Sequence, residues 1–202
     1  MEVYKKPYDP LRPVICLDET NRQLIGETIS PIPMSAGQPE RYDYEYVRNG
    51  TANIFMMLEP LAARRFTKVT NTRTKIDFAY CLRDLSDKYY PHTEKILLVM
   101  DNLNTHSLAS LYDAFEPQEA RRLAERFEIH NTPKHASWLN MAEIEIGVLS
   151  RQCLNQRIPT KDKMEYEVNA WTGNRNNANL TVNWQFTTQD ARIKLKHLYP
   201  KF

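Results

Sequence analysis

The sequence predicts an α/β fold built on a mixed sheet, and three observations carry that prediction. Two continuous apolar runs, Val14-Ile15-Cys16-Leu17 and Ile96-Leu97-Leu98-Val99-Met100, have the character of buried strands, and each ends in an aspartate, Asp18 and Asp101. Alternating Tyr42, Tyr44 and Tyr46, followed by Asn53 to Leu58, mark an antiparallel part of the sheet. A long helical pattern from Trp138 to Leu154 offers a third acid, Glu143.

Taken in order, residues 12–17 read as a first strand that continues beyond Thr20, and Pro31 and Pro33 then break regular structure in a polar loop. Asn49-Gly50 reads as a tight hairpin turn between the tyrosine stripe and Asn53–Leu58. Phe66 to Val69 makes a further short strand. Thr74 to Tyr89 reads as a helix with Ile76, Ala79, Tyr80, Leu82 and Leu85 on its apolar face, closed by Pro91. Lys95 to Met100 is a strand buried on both faces, so Asp101 emerges at its carboxyl end, the edge where open sheets place ligands. A helical stretch over 107–126 is broken at Pro117, and Phe127–His130 is a short strand ended by Pro133.

In the helix over 138–154, Met141, Ile144, Val148 and Leu149 form the expected core stripe, while Glu143, Gly147 and Ser150 share another face. Helices around Lys161 to Trp171 and Thr188 to Leu198 enclose a polar stretch over 172–179. Carboxylates just past two buried strands sit on rigid backbone, and a third from a helix face completes an oxygen-ligand site for a divalent metal. Such sites activate water for attack on phosphodiesters.

A chain of 202 residues is long enough for one sizeable core, and a 42% hydrophobic fraction with mixed charge fits a globular protein. No apolar run is long enough to span a bilayer, and Met1-Glu2-Val3-Tyr4-Lys5-Lys6 lacks the apolar stretch of a secretory signal, so the expected location is cytoplasmic. Cys16, Cys81 and Cys153 fit neither a zinc site nor a disulfide framework and read as reduced, buried and inert. The net charge of +2 is too small to demand a polyanionic partner. Three basic clusters favour one: Arg64, Arg65, Lys68, Arg73 and Lys75; Arg121, Arg122 and Arg126; and Arg192, Lys194, Lys196 and Lys201.

The element order is strand with acid, hairpin, strand, helix, strand with acid, helices, strand, and helix with acid. That is the order of the ribonuclease H-like fold, a mixed five-stranded sheet flanked by helices. The motifs Leu17-Asp18-Glu19-Thr20, Met100-Asp101-Asn102-Leu103-Asn104-Thr105-His106 and Thr132-Pro133-Lys134-His135-Ala136-Ser137-Trp138-Leu139-Asn140-Met141-Ala142-Glu143 narrow it. From about Pro7 to Pro200 the chain resembles the acidic-triad catalytic domain of mariner-superfamily transposases, specifically the bacterial insertion sequence family six-thirty.

The resemblance implies a DNA transposase that cuts at terminal inverted repeats and joins its element to a TA target, nucleoid-associated when bound to DNA. The triad maps onto Asp18, Asp101 and Glu143, which would hold two magnesium ions, with manganese as a substitute. Glu145 and Glu19 are rivals to Glu143 and Asp18. Glu145 lies two positions along its helix and faces elsewhere, and Glu19 points away from Asp18 along the strand. Asn102 and His106 read equally as contacts to metal-bound water or DNA and as structural hydrogen bonds. Lys134, His135 and Trp138 are candidates to line the DNA path, with Trp138 also readable as a hydrophobic anchor.

The expected organisation is a linker remnant over 1–12 and a catalytic domain over 13–202, divided into a core over 13–155 and a C-terminal helical extension over 156–202. The family's helix-turn-helix module is expected to be missing or separately supplied, and a homodimer follows from the need to pair two DNA ends. Two further readings stay open: a non-catalytic DNA-binding or assembly remnant, and a stand-alone RNase H-like nuclease.

Overall fold

In the computed structural model, which describes residues 2–103, 106–133, 136–182, 184, 186–194 and 196, the described residues form a five-stranded sheet in the order β3-β2-β1-β4-β5. The strands are β1 (Val14–Glu27), β2 (Tyr46–Glu59), β3 (Arg64–Thr70), β4 (Ile96–Met100) and β5 (Phe127–Asn131). β2 is antiparallel to β1 and β3, whereas β4 runs parallel to β1 and β5. The sheet is therefore mixed, as the sequence predicts.

Strand alternation splits the apolar side chains of β1, β2 and β4 between two layers. Cys16, Ile54, Met56, Leu58 and Val99 pack on one face against α4 (Met141–Gln152) and α5 (Lys161–Asn177). Ile15, Leu17, Phe55, Met57 and Leu98 pack on the other against α1 (Lys75–Arg83), α2 (Ser110–Ala114) and α3 (Pro117–Ala124). The N-terminal 3-10 turn, Glu2–Lys5, joins the first layer: Val3 is buried and the Tyr4 hydroxyl donates to the Leu139 carbonyl at 2.9 Å. The last helix among the described residues is short, α6 (Thr188–Lys194).

The hairpin turn expected at Asn49-Gly50 is instead a bulge inside β2. Gln23 pairs with Thr51 and Ile25 with Arg48, so Leu24 faces two residues, Asn49 and Gly50, and Gly50 takes φ +96°. A positive-φ glycine serves a bulge as well as a tight turn, so the dipeptide alone does not separate them. β1 and β2 are joined by residues 28–45, pinned by bridges between Ile32 and Arg41 and between Ser35 and Gln38. Tyr42 and Tyr44 stand exposed in that connection rather than half-buried on a strand.

The helix expected over 74–89 is α1 followed by a π-helical segment, Asp84–Tyr89, and it buries Phe78 and Cys81 while Ile76 is exposed. Thr74 caps α1: its hydroxyl accepts from Asp77 N and Asp77 accepts from Thr74 N. α4 also differs in register, because it begins at Met141 after a 3-10 turn over Ser137–Leu139. Counting from there, Met141, Ala142, Glu145 and Leu149 face the sheet and Ile144 is exposed. α5 runs on to Asn177, through most of the stretch expected to be irregular.

No helix among the described residues is long and apolar enough to cross a membrane. All three cysteines are free and buried, and burial pushes the Cys16 and Cys81 thiols up to about 12, which leaves them un-ionised and inert.

Candidate active site

Pairing between β1 and β4 ends at Cys16 opposite Val99. Two residues further along in each case stand Asp18, still within β1, and Asp101, just past β4, so the parallel register brings both acids to the carboxyl end of β4. Asp18 is 9% exposed and lies on the α4 face. Its Oδ1 accepts from the Glu19 amide at 2.8 Å. Asn140, fully buried, ties this strand to α4 in three ways. Its side-chain amide donates to the Leu17 carbonyl at 2.7 Å and lies 3.4 Å from Asp18 Oδ2, while its Oδ1 caps the helix by accepting from Ala142 N at 3.2 Å. The sequence shows Asn140 only as a helix start; its donation to a strand 122 residues earlier leaves no local signal.

Burial is the main force on the Asp18 carboxyl and pushes its pKa up. The Glu19 amide opposes it, while the charges of Asp101, Glu19 and Glu143 add to the rise, to about 7. All three sequence-predicted acids thus meet electrostatically at Asp18. Among the described residues, however, no three His, Cys, Asp or Glu side chains stand close enough together to hold a metal ion as they are.

Asp101 is held from behind. Its Oδ1 accepts from His106 Nδ1 at 2.6 Å and from Leu103 N at 3.0 Å, and the His106 bond holds the carboxyl below the usual aspartate range despite partial burial. His106 Nε2 in turn lies 2.8 Å from Glu19 Oε2. Burial alone would lower the imidazole pKa, but the hydrogen bonds and charges of Asp101 and Glu19 raise it to about 9, so both ring nitrogens donate. Glu19 does point away from Asp18, as strand alternation demands, and there it meets the imidazole. Asn102 has a structural role: its amide donates to the Thr132 carbonyl at 2.6 Å, joining the exits of β4 and β5.

Glu143, in the first turn of α4, is exposed, and Ser137 Oγ donates to it at 3.2 Å. Glu145 is fully buried on another face, held by Arg65 Nε at 2.5 Å and Arg175 Nε at 2.6 Å. Lys134 and His135 lie outside the described residues. Trp138 packs edge-on against Phe186, with ring centroids 4.9 Å apart, and Lys194 Nζ stands 4.8 Å over its ring.

Most residues of the basic clusters bond to groups of the chain itself, some buried and some at the surface. Arg65 is buried; Lys68 pairs with Asp84, and Lys75 with Asp113. Arg121 pairs with Glu125 and Arg122 with Asp87 and Glu119, while Arg126 donates to the Tyr90 and Thr93 carbonyls. Arg73, half-exposed 3.6 Å from Glu19 Oε1, stands beside the site, and Arg192, Lys194 and Lys196 are exposed at the C-terminal end. Arg22 lies on the Asp18 face of β1 and donates to Ser150 Oγ on α4; its buried Nε has no partner among the described residues.

The fold is similar to that of Mos1. The crystal structure of the Mos1 mariner paired-end complex with Mn aligns over 86% of this chain and 51% of that chain, at 14% identity and a TM-score of 0.56. The Mos1 strand transfer complex aligns over 85% and 50%, at 13% identity and a TM-score of 0.57. The chain thus spans about half the length of the structures it resembles, and at these identities the likeness establishes the ribonuclease H-like fold alone. No curated protein matches the sequence. Residues 13–165, well over half of the 202, match the DDE superfamily endonuclease family and include Asp18, Asp101 and Glu143, so the chain belongs to the DDE superfamily endonucleases.

Proposed function

We propose that the chain is the catalytic part of a metal-dependent DNA transposase, with Asp18, Asp101 and Glu143 as its catalytic acids. One observation carries the reading: a buried aspartate on the central strand, just past its pairing with β4, with its pKa driven to about 7 by burial and by Asp101, Glu19 and Glu143. Crowding charge around a desolvated acid is costly unless a cation offsets it. Membership of the endonuclease family supports the same class of chemistry.

The donor set fits a hard divalent cation. Asp18, Asp101 and Glu143 supply carboxylate oxygens alone, the ligand type that magnesium and manganese favour. Asp18, Asp101 and Glu143 would hold the ions, two magnesium in the proposed site, for which manganese would substitute. When bound, such ions make water or a DNA 3′-hydroxyl a stronger nucleophile and stabilise the leaving oxygen. The protein's own part is orientation. Asn140 holds β1 at Leu17 and Asp18 against the start of α4, which sets Asp18 relative to Glu143, and Ser137 steadies Glu143. Arg73 and Lys194 are the cations proposed to meet DNA phosphates, with Trp138, and with Lys134 and His135 on the preceding segment, as further contacts.

The finer reading is excision at terminal inverted repeats and insertion at TA by a dimer, with the DNA sequence read by a helix-turn-helix module. The test is cleavage of terminal-repeat DNA and of a branched duplex with magnesium or manganese, with and without that module. Asp101→Asn should lose about a thousandfold in cleavage, as expected for removal of several kcal/mol of transition-state stabilisation. Equal cleavage by wild type and Asp101→Asn would sink the mechanism. Preference for the branched duplex would favour a stand-alone nuclease, and absence of cleavage with the module present would favour a non-catalytic assembly protein.

A further inference from the structure

Asp101 meets the rest of the site with one oxygen already engaged. Oδ1 accepts two hydrogen bonds, from His106 Nδ1 and Leu103 N, while Oδ2 accepts none among the described residues. Behind it, His106 and Glu19 have side chains only 1% and 4% exposed, and the imidazole leans on the Phe78 ring with centroids 5.0 Å apart. Glu19 belongs to β1, the strand that carries Asp18, but projects from its opposite face. A continuous buried chain, Glu19 to His106 to Asp101, therefore runs from the central strand to the irregular segment after β4.

We infer that Glu19 and His106 are positioning residues that make Asp101 a one-oxygen ligand, retaining Oδ1 for the protein and leaving Oδ2 for the cation. Without this strut the Asp101 carboxylate, on a segment outside regular structure, keeps only the Leu103 amide to fix its last torsion, and turns more readily to offer either oxygen or both. Anchoring it to the strand of Asp18 ties the two ligands to one rigid element. Loss of a partner of this kind typically costs about 10–100-fold in metal affinity.

The inference rests on Asp101 being a cation ligand, so the experiment separates the two. Manganese binding to the full chain without DNA is followed by the electron paramagnetic resonance of free Mn2+, alongside thermal unfolding without metal. Asparagine can place its amide nitrogen near the Nδ1 position of His106, whereas glutamine reaches the Nε2 position. Glu19→Gln keeps an acceptor for the imidazole, whereas Glu19→Met removes it. His106→Gln and Glu19→Met should weaken binding about tenfold, with His106→Asn and Glu19→Gln remaining within about threefold of wild type, and Asp101→Asn should lose binding.

Wild-type affinity in both His106→Gln and Glu19→Met, with binding lost in Asp101→Asn, would overturn the strut and leave the ligand reading standing. Affinity losses that simply track melting temperature across all four variants would also overturn it. An Asp101→Asn protein that binds as wild type does, or a wild type that binds no manganese, overturns the ligand reading and the strut with it. If His106→Gln does not unfold cooperatively, the contrast between Glu19→Gln and Glu19→Met decides.

Discussion

Burying the Asp18 carboxyl among other acids makes the metal-free protein less stable as pH rises. In the unfolded chain this group ionises near its ordinary value; folded, its pKa is about 7. Between those values the native state binds more protons than the unfolded one, so unfolding becomes easier with increasing pH until the folded group has also ionised. The cost at pH 8 is on the order of 2–4 kcal/mol. Asp18→Asn should therefore melt near wild type at pH 4 and several degrees above it at pH 8. A scanning fluorimetry series that shows a constant gap would refute the burial argument. Magnesium or manganese should raise the wild-type melting temperature at pH 8 and leave Asp18→Asn little changed. The placement of Asp18 and Asp101 after apolar runs, and of Glu143 and Glu145 on different faces of one helix, was legible because each depends on local pattern. Glu19 was legible only as a residue facing the other way. What it faces, His106, lies 87 positions distant and comes within reach only through the sheet.

At the scale of elements, the start of α4 is the joint of the site. Asn140→Ala removes a helix cap and strands the buried Leu17 carbonyl, which together should cost about 2–4 kcal/mol in urea unfolding. Asn140→Asp keeps the cap but loses the donor and sets a second carboxylate against Asp18, so it should be worse at pH 8 than the alanine variant. The opposite order would show that the cap, not the strand contact, dominates. The bulge gives a second check: Gly50→Ala has open space for its Cβ, so only the positive φ is penalised, at about 1–2 kcal/mol. Strands announced themselves by apolar runs, since both faces of β4 and the inner end of β1 are buried. Helix registers were harder, because Ile144 and Glu145 are neighbours and apolarity alone assigns the wrong one to the core. Glu145 is inside only because Arg65 and Arg175 neutralise it, a pairing across three elements that no helical repeat encodes.

Across the whole molecule, that pairing reaches from the sheet edge to the end of α5. Arg65, on β3, also donates to the carbonyls of Ala63 and Leu180, and its own backbone exchanges hydrogen bonds with the Asn176 side chain. Glu145→Ala would leave a guanidinium with no exposed surface short of its counter-charge, and the expected loss is about 3–5 kcal/mol by denaturant titration. A loss under 1 kcal/mol would mean that the Arg65 carbonyl contacts suffice. The stretch that matches the endonuclease family ends at residue 165, whereas the residues that complete this network lie at 175, 176 and 180. Kinship and self-sufficiency thus have different borders in this chain: a fragment trimmed to the recognisable part would carry all three acids and still open its core to water at Arg65.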